Sequence, residues 1–192
     1  MTGDDDDAVA AVPGPFEQGE PAKPLLVLIG PMGAGKSAIG RKTAKALGVP
    51  FRDTDSIVVQ QHGAIADIFV SRGEAAFRAL EHEAVIASLS QDGVVALGGG
   101  AVMHEGTREA LAGHRVVLLT VSESAIVSRL RGQKRPLLNT EDGDRVAEWA
   151  RIKDQRMPTY RSLAVREIDT SSGPIQHVVD ELAEWIEREE TA

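Results

Sequence analysis

The stretch Leu25-Leu26-Val27-Leu28-Ile29-Gly30-Pro31-Met32-Gly33-Ala34-Gly35-Lys36-Ser37 decides the fold class. It opens on an uninterrupted apolar run, the pattern of a strand buried on both faces of a sheet. From Gly30 onward it satisfies G-x-x-x-x-G-K-[ST], a phosphate-binding loop. The following residues, 38–47, carry Ile39, Thr43 and Leu47 at helical spacing and stop at Gly48, a helix C-cap residue. Strand, glycine loop and helix in that order let the backbone N–H groups of 32–37 converge on a polyphosphate at the positive end of a helix dipole. Lys36 would reach the β- and γ-phosphates, and the Ser37 hydroxyl would bind Mg²⁺.

Beyond this unit, strands and helices alternate. Strands are predicted at 24–29, near 50–52, at 94–97, 115–121 and about 165–169. Helices are predicted at 37–47, 56–61, 65–71, 73–90, 105–112, 122–130, 144–160 and 174–189. The alternation predicts α/β architecture, a five-stranded parallel sheet wrapped by helices. In the last helix Ile175, Val178, Val179, Leu182 and Ile186 share one face, a packing face. Residues 1–22, with Asp4 to Asp7, prolines and no periodicity, read as a disordered acidic tail. The ordered domain then spans 23–192.

Composition narrows the partners. A net charge of −8 argues against nucleic acid, which demands a basic face. Yet residues 129–161 hold nine Lys/Arg against five acids, which suits a site for anionic small molecules as well as a solvated helix face. The absence of cysteine excludes a disulfide framework, a thiolate metal site and a cysteine nucleophile. With no apolar stretch near 18 residues and no basic-then-apolar leader, the expected location is cytoplasmic, away from any membrane. The stretch 131–143 is long, polar and basic, punctuated by Gly132, Pro136 and Gly143, and reads as a mobile lid.

Asp53-Thr54-Asp55 follows the second apolar segment, so its carboxylates would emerge at a strand's carboxyl end, where parallel sheets bind ligands. Alternation along an extended chain points Asp53 and Asp55 to the same side. One could help hold Mg²⁺ and the other could take or orient a hydroxyl proton; a helix cap is the structural alternative. Val94-Val95-Ala96-Leu97 runs straight into Gly98-Gly99-Gly100 with no carboxylate, which leaves Asp53 the best-placed metal acid. Three consecutive glycines would let backbone amides approach a ligand closely.

An ordered set of motifs now accumulates. The phosphate loop and Asp53-Thr54-Asp55 are followed by Ala66-Asp67-Ile68-Phe69, Gly73-Glu74-x-x-Phe77-Arg78, Gly98-Gly99-Gly100, Arg135-Pro136-Leu137-Leu138 and Arg156-x-Pro158-x-Tyr160. The set resembles the shikimate kinases, of the nucleoside monophosphate kinase-like P-loop fold, over about residues 24–189. The resemblance implies a three-layer α/β/α kinase with ATP as co-substrate and Mg²⁺ as metal. The implied reaction is phosphorylation of the shikimate 3-hydroxyl, a step toward chorismate and the aromatic amino acids, by what is expected to be a monomer.

The same resemblance assigns roles. Asp53 and Ser37 hold Mg²⁺, Asp53 through water, while Asp55 binds a shikimate hydroxyl and serves as base. Arg78 and Arg156 grip the shikimate carboxylate, Gly99 and Gly100 lend backbone contacts, and Phe69 and Phe77 wall the ring. Gly33, Ala34, Gly35, Lys36, Ser37 and Ala38 contact the nucleotide phosphates. Arg129 stacks on adenine, near Asp169-Thr170-Ser171-Ser172-Gly173-Pro174. Arg135 contacts the transferred phosphate, so Lys36, Asp55 and Arg135 are the expected catalytic residues. Ala38 departs from the threonine many members carry there, with the metal-binding hydroxyl already supplied by Ser37. A gluconate kinase would not call for this set, and an adenylate kinase loop reads G-K-G-T. A GTP switch needs Asn-Lys-x-Asp, whereas the sole asparagine, Asn139, precedes Thr140. A catalytically dead nucleotide-binding module would be expected to have lost Lys36, Asp55 or Arg135.

Overall fold

A computed structural model of the chain describes residues 23–129 and 145–191. Five parallel strands form one sheet in the order β2-β3-β1-β4-β5: β1 Leu26–Ile29, β2 Phe51–Asp53, β3 Val94–Ala96, β4 Val116–Thr120 and β5 Arg166–Asp169. The apolar run read from sequence is the central strand. Leu26 and Leu28 face one core with Val117 and Leu119, while Val27 and Ile29 face the other with Val116 and Leu118. Period-two alternation with no polar side explains why the run is continuous: each face is covered by helices.

The first face is covered by α1 (Lys36–Leu47), α7 (Ile175–Glu190) and the start of α6 (Arg145–Leu163), which bring Ile39, Val178, Leu182, Trp149 and Ile152. The second is covered by the C-terminal half of α3 (Ile65–Leu89), by α4 (Glu105–Ala110) and by Tyr160 of α6. A smaller apolar cluster of Val58, Ile68, Phe77 and Ala84 joins α2 (Thr54–His62) to α3 beside the sheet. The remaining helix, α5 (Glu123–Arg129), follows β4. The expected α/β sandwich with a five-stranded parallel sheet is therefore present.

Two details differ from the expectation, the helical setting of Asp55 and the exposure of Ile175, while the division of α3 agrees with it. Helix α2 starts at Thr54, so Asp55 lies in a helical first turn and not on an extended chain; the alternation argument for Asp53 and Asp55 fails there. Within α3 the helices expected at 65–71 and 73–90 are both present, divided at Gly73, whose φ of 81° and ψ of 169° are not helical. Ile175 opens α7 but stays exposed, so the packing face begins at Val178. The expected tail and the lid at 131–143, Arg135 included, lie outside the described residues. Among the described residues no helix is long and apolar enough to cross a membrane.

Candidate active site

The phosphate loop leaves the C-terminal edge of β1. Gly35 is the N-cap of α1 with a left-handed φ of 89°, and no side chain caps the helix. Its first N–H groups therefore lack the side-chain acceptor that usually satisfies them, which suits an anion. The Lys36 ammonium is buried and donates to the carbonyls of Gly30 at 2.8 Å and Pro31 at 3.0 Å. Ala38 is exposed on the first turn of α1.

Asp53 satisfies both readings of its sequence context. One carboxylate oxygen accepts from the Ser56 N–H at 3.0 Å and caps α2, and the other accepts a hydrogen bond from the Ser37 hydroxyl. Two oxygen donors of the kind Mg²⁺ prefers thus meet at the start of α1, so the residues fit that ion.

Thr54, fully buried between the two acids, accepts the Gly98 N–H at 2.9 Å. This ties the Asp-Thr-Asp turn to the glycine strip that follows β3. The glycines are needed for a reason other than the one expected at two positions. A Cβ on Gly98 would collide with the Asp55 and Glu81 carboxylates, and one on Gly100 with the Arg78 guanidinium. Gly98 and Gly100 make room for side chains of the protein itself. Gly99 would carry a Cβ without collision, 3.5 Å from Met32, but its carbonyl is engaged: Arg156 donates to it at 3.0 Å and the Tyr160 hydroxyl donates as well.

These residues enclose a cavity of about 430 Å³. Asp55, Arg78, Glu81 and Arg156 supply its charges, Gly99 and Gly100 its backbone edge, and Phe69 and Phe77 an apolar wall with ring centroids 4.9 Å apart. Phe77 is almost wholly buried in the small α2–α3 cluster and Phe69 is half-buried, so both serve core and wall. Arg78 pairs with Glu81 at 2.6 Å and Glu74 at 3.1 Å. Burial alone would lower the Arg78 pKa, and the two carboxylates more than reverse it, so the guanidinium is held charged. Burial pushes the Glu81 carboxyl upward, Arg78 opposes that, and the charge of Asp55 adds to it. Burial also pushes the Tyr160 hydroxyl up to about 12, which keeps it protonated as the donor to the Gly99 carbonyl.

On the opposite side of the loop, Arg129 donates to the Gly33 carbonyl at 2.9 Å and to the Thr170 carbonyl at 2.5 Å. It therefore stands between the phosphate loop, expected around the phosphates, and the turn after β5, expected near adenine. The structure brings together every expected site residue that it describes; Arg135 lies outside the described residues. Sequence reasoning assigned no role to Thr54 or Glu81. Glu81 had a signal, a carboxylate one helical turn from Arg78 on the face that buries Phe77 and Ala84. Thr54 had none, because its role is a contact across 44 residues.

Known proteins resemble this chain over most of its length. The sequence model of the shikimate kinase family matches residues 32–187. A shikimate kinase of Mycobacterium avium is 49% identical over 151 residues, covering 77% of this chain and 85% of that protein. One from Thermobifida fusca is 46% identical over 171 residues, 88% of this chain and 95% of that protein. A solved shikimate kinase from Acinetobacter baumannii, in complex with shikimate, superposes with a TM-score of 0.79 at 30% identity, over 89% of this chain and 96% of that one. A family match over most of the chain, relatives at 46–49% identity and a shared fold agree, and the chain belongs to the shikimate kinase family.

Proposed function

We propose that this protein transfers the γ-phosphoryl group of ATP to the 3-hydroxyl of shikimate, giving shikimate 3-phosphate and ADP on the route to chorismate. The observation that carries the reading is the cavity itself: two arginines and the Asp55 carboxylate around a space that meets the phosphate loop at Met32 and the glycine strip at Gly99. Planar guanidinium groups suit a carboxylate, which they pair bidentately. Arg78 and Arg156 then hold the substrate by its carboxylate, the phenylalanines wall its ring, and the hydroxyl to be phosphorylated turns toward Asp55.

Phosphoryl transfer passes through a loose transition state, so positioning and charge neutralisation dominate. The bond between the γ-phosphorus and the bridging oxygen breaks as the shikimate oxygen bonds to phosphorus, and Asp55 takes the hydroxyl proton late. Lys36 leaves its loop carbonyls for the phosphate oxygens, while the α1 amides of the loop align them. Ser37 and Asp53 would hold Mg²⁺, which when bound neutralises charge on the β- and γ-phosphates. Arg129 would flank adenine, and Arg135 would meet the transferred phosphoryl group.

ADP release with ATP and Mg²⁺ should require shikimate and should not occur with gluconate or AMP; comparable turnover on gluconate overturns the reading. The catalytic unit is residues 23–192, acting as a cytoplasmic monomer. A chain beginning at Ala22 should keep both turnover and melting temperature, and a fall of several degrees would show that the preceding residues pack on the domain.

A further inference from the structure

The phosphate loop has a second set of partners outside its own motif. Every carbonyl from Gly30 to Gly35 meets a donor. Gly30 and Pro31 receive Lys36, and Gly35 receives the Ile39 N–H at 2.9 Å. The three between them are held from elsewhere in the fold. Met32 receives the Trp149 indole N–H of α6 at 2.9 Å, Gly33 receives Arg129 of α5 at 2.9 Å, and Ala34 receives the Thr170 hydroxyl at 2.9 Å. The Thr170 hydroxyl also has the Thr120 carbonyl at 2.8 Å, so its one proton is shared between that carbonyl and Ala34.

A peptide unit presents its N–H opposite its carbonyl, so fixing a carbonyl fixes the direction of the next amide. An anion site of backbone amides works best when those amides need no reorientation on binding. Lys36 cannot be a permanent anchor, because it must also serve the phosphates. The anchors that need not be released are therefore Trp149, Arg129 and Thr170.

Among these Trp149 is the most specific. Its indole N–H is a donor with one proton and no acceptor role, its side chain is 1% exposed, and Met32 is its partner. The Lys153 ammonium sits over the ring at 5.4 Å and is itself held by Glu123 of α5 at 3.3 Å, which fixes the plane of the indole. Met32 is also the loop residue that lines the cavity, and α6 carries Arg156 and Tyr160 on the Gly99 carbonyl. One helix thus holds the loop at one end and the glycine strip at the other.

We propose that Trp149 is a positioning residue of the nucleotide site: its indole N–H fixes the Met32 carbonyl so that the loop amides are set for phosphate before the nucleotide arrives. The proposal rests on the kinase reading above. It touches no substrate and acts through the loop backbone.

The test removes the N–H and keeps the ring. Replacing the Trp149 indole by benzothiophene, through incorporation of 3-benzothienylalanine, preserves shape; Trp149→Phe is the genetically encoded counterpart. The dissociation constant of Mg·ADP, measured by calorimetry, and the KM for ATP should rise about tenfold, the effect of one unsatisfied buried carbonyl. The dissociation constant of shikimate alone should stay within twofold. Thr170→Val should likewise weaken Mg·ADP, and Thr170→Ser should restore it. Because the benzothienyl protein retains the packing, a merely structural role predicts an ADP affinity within twofold of wild type, and that result overturns the proposal. Equal losses of ADP and shikimate affinity overturn it too. Shikimate-dependent ADP release by the wild-type protein tests the kinase reading separately, since ADP binding can be compared between proteins whatever the acceptor is.

Discussion

The two halves of the candidate site, the phosphate loop and the cavity beside it, are built on different principles. The loop half is continuous: Met32 to Ser37 offer backbone amides from neighbouring residues, and their geometry follows from glycine torsions and the start of α1. The acceptor half is discontinuous. Asp55 comes from α2, Arg78 and Glu81 from α3, Gly99 and Gly100 from the turn after β3, and Arg156 from α6. A backbone site tolerates many side chains and recognises a charge pattern common to all nucleotides, whereas a side-chain cage from four segments recognises one shape. On the proposed function, general affinity would lie in the loop and selectivity in the cage.

The residue expected to serve both halves gives the largest effect. Arg135→Ala should cut kcat by roughly 10³–10⁵, about 4–7 kcal/mol of barrier, as loss of an arginine finger does, while shikimate still binds. Single-turnover rates decide it, and a loss under tenfold would leave Arg135 a surface residue.

Asp55→Asn comes next. Loss of a general base lowers turnover by about 10²–10⁴. Shikimate binding should weaken because a hydroxyl partner changes, and ATP binding should barely move because Asp55 stands in the acceptor half. Equal weakening of both ligands would break the division between the halves.

Arg78→Lys keeps the charge and removes the fork. It should raise the shikimate KM far more than the ATP KM, by about tenfold or more, and an unchanged shikimate KM would take Arg78 out of the site.

Gly100→Ala should have the smallest effect of this group. Its φ of −108° suits alanine, so the added methyl acts only by pushing the Arg78 guanidinium aside. A several-fold rise in shikimate KM, with ADP binding unchanged by calorimetry, sharpens the comparison. Unchanged KM would mean that Arg78 finds another productive rotamer.

The sequence alone determined the strand–loop–helix unit and the layers of the fold. The apolar run at 25–29 had to be a doubly covered strand, and the glycine loop had to end in a helix, because strand period, glycine torsion and dipole are local properties of neighbouring residues. The ordered motifs also named Arg78, Arg156, Asp53 and Asp55. Tertiary structure decided how these are held. Asp53 caps α2 and meets Ser37, which moved Asp55 onto a helix and away from the extended geometry expected. Gly98 and Gly100 make room for the carboxylates and guanidinium of the cage, a crowding visible only once α2 and α3 pack against the turn after β3. Thr54 on Gly98, Tyr160 on Gly99 and Trp149 on Met32 each join residues between 44 and 117 positions apart. A hydrogen bond across such a distance leaves no period, spacing or composition in the chain, so packing alone reveals it.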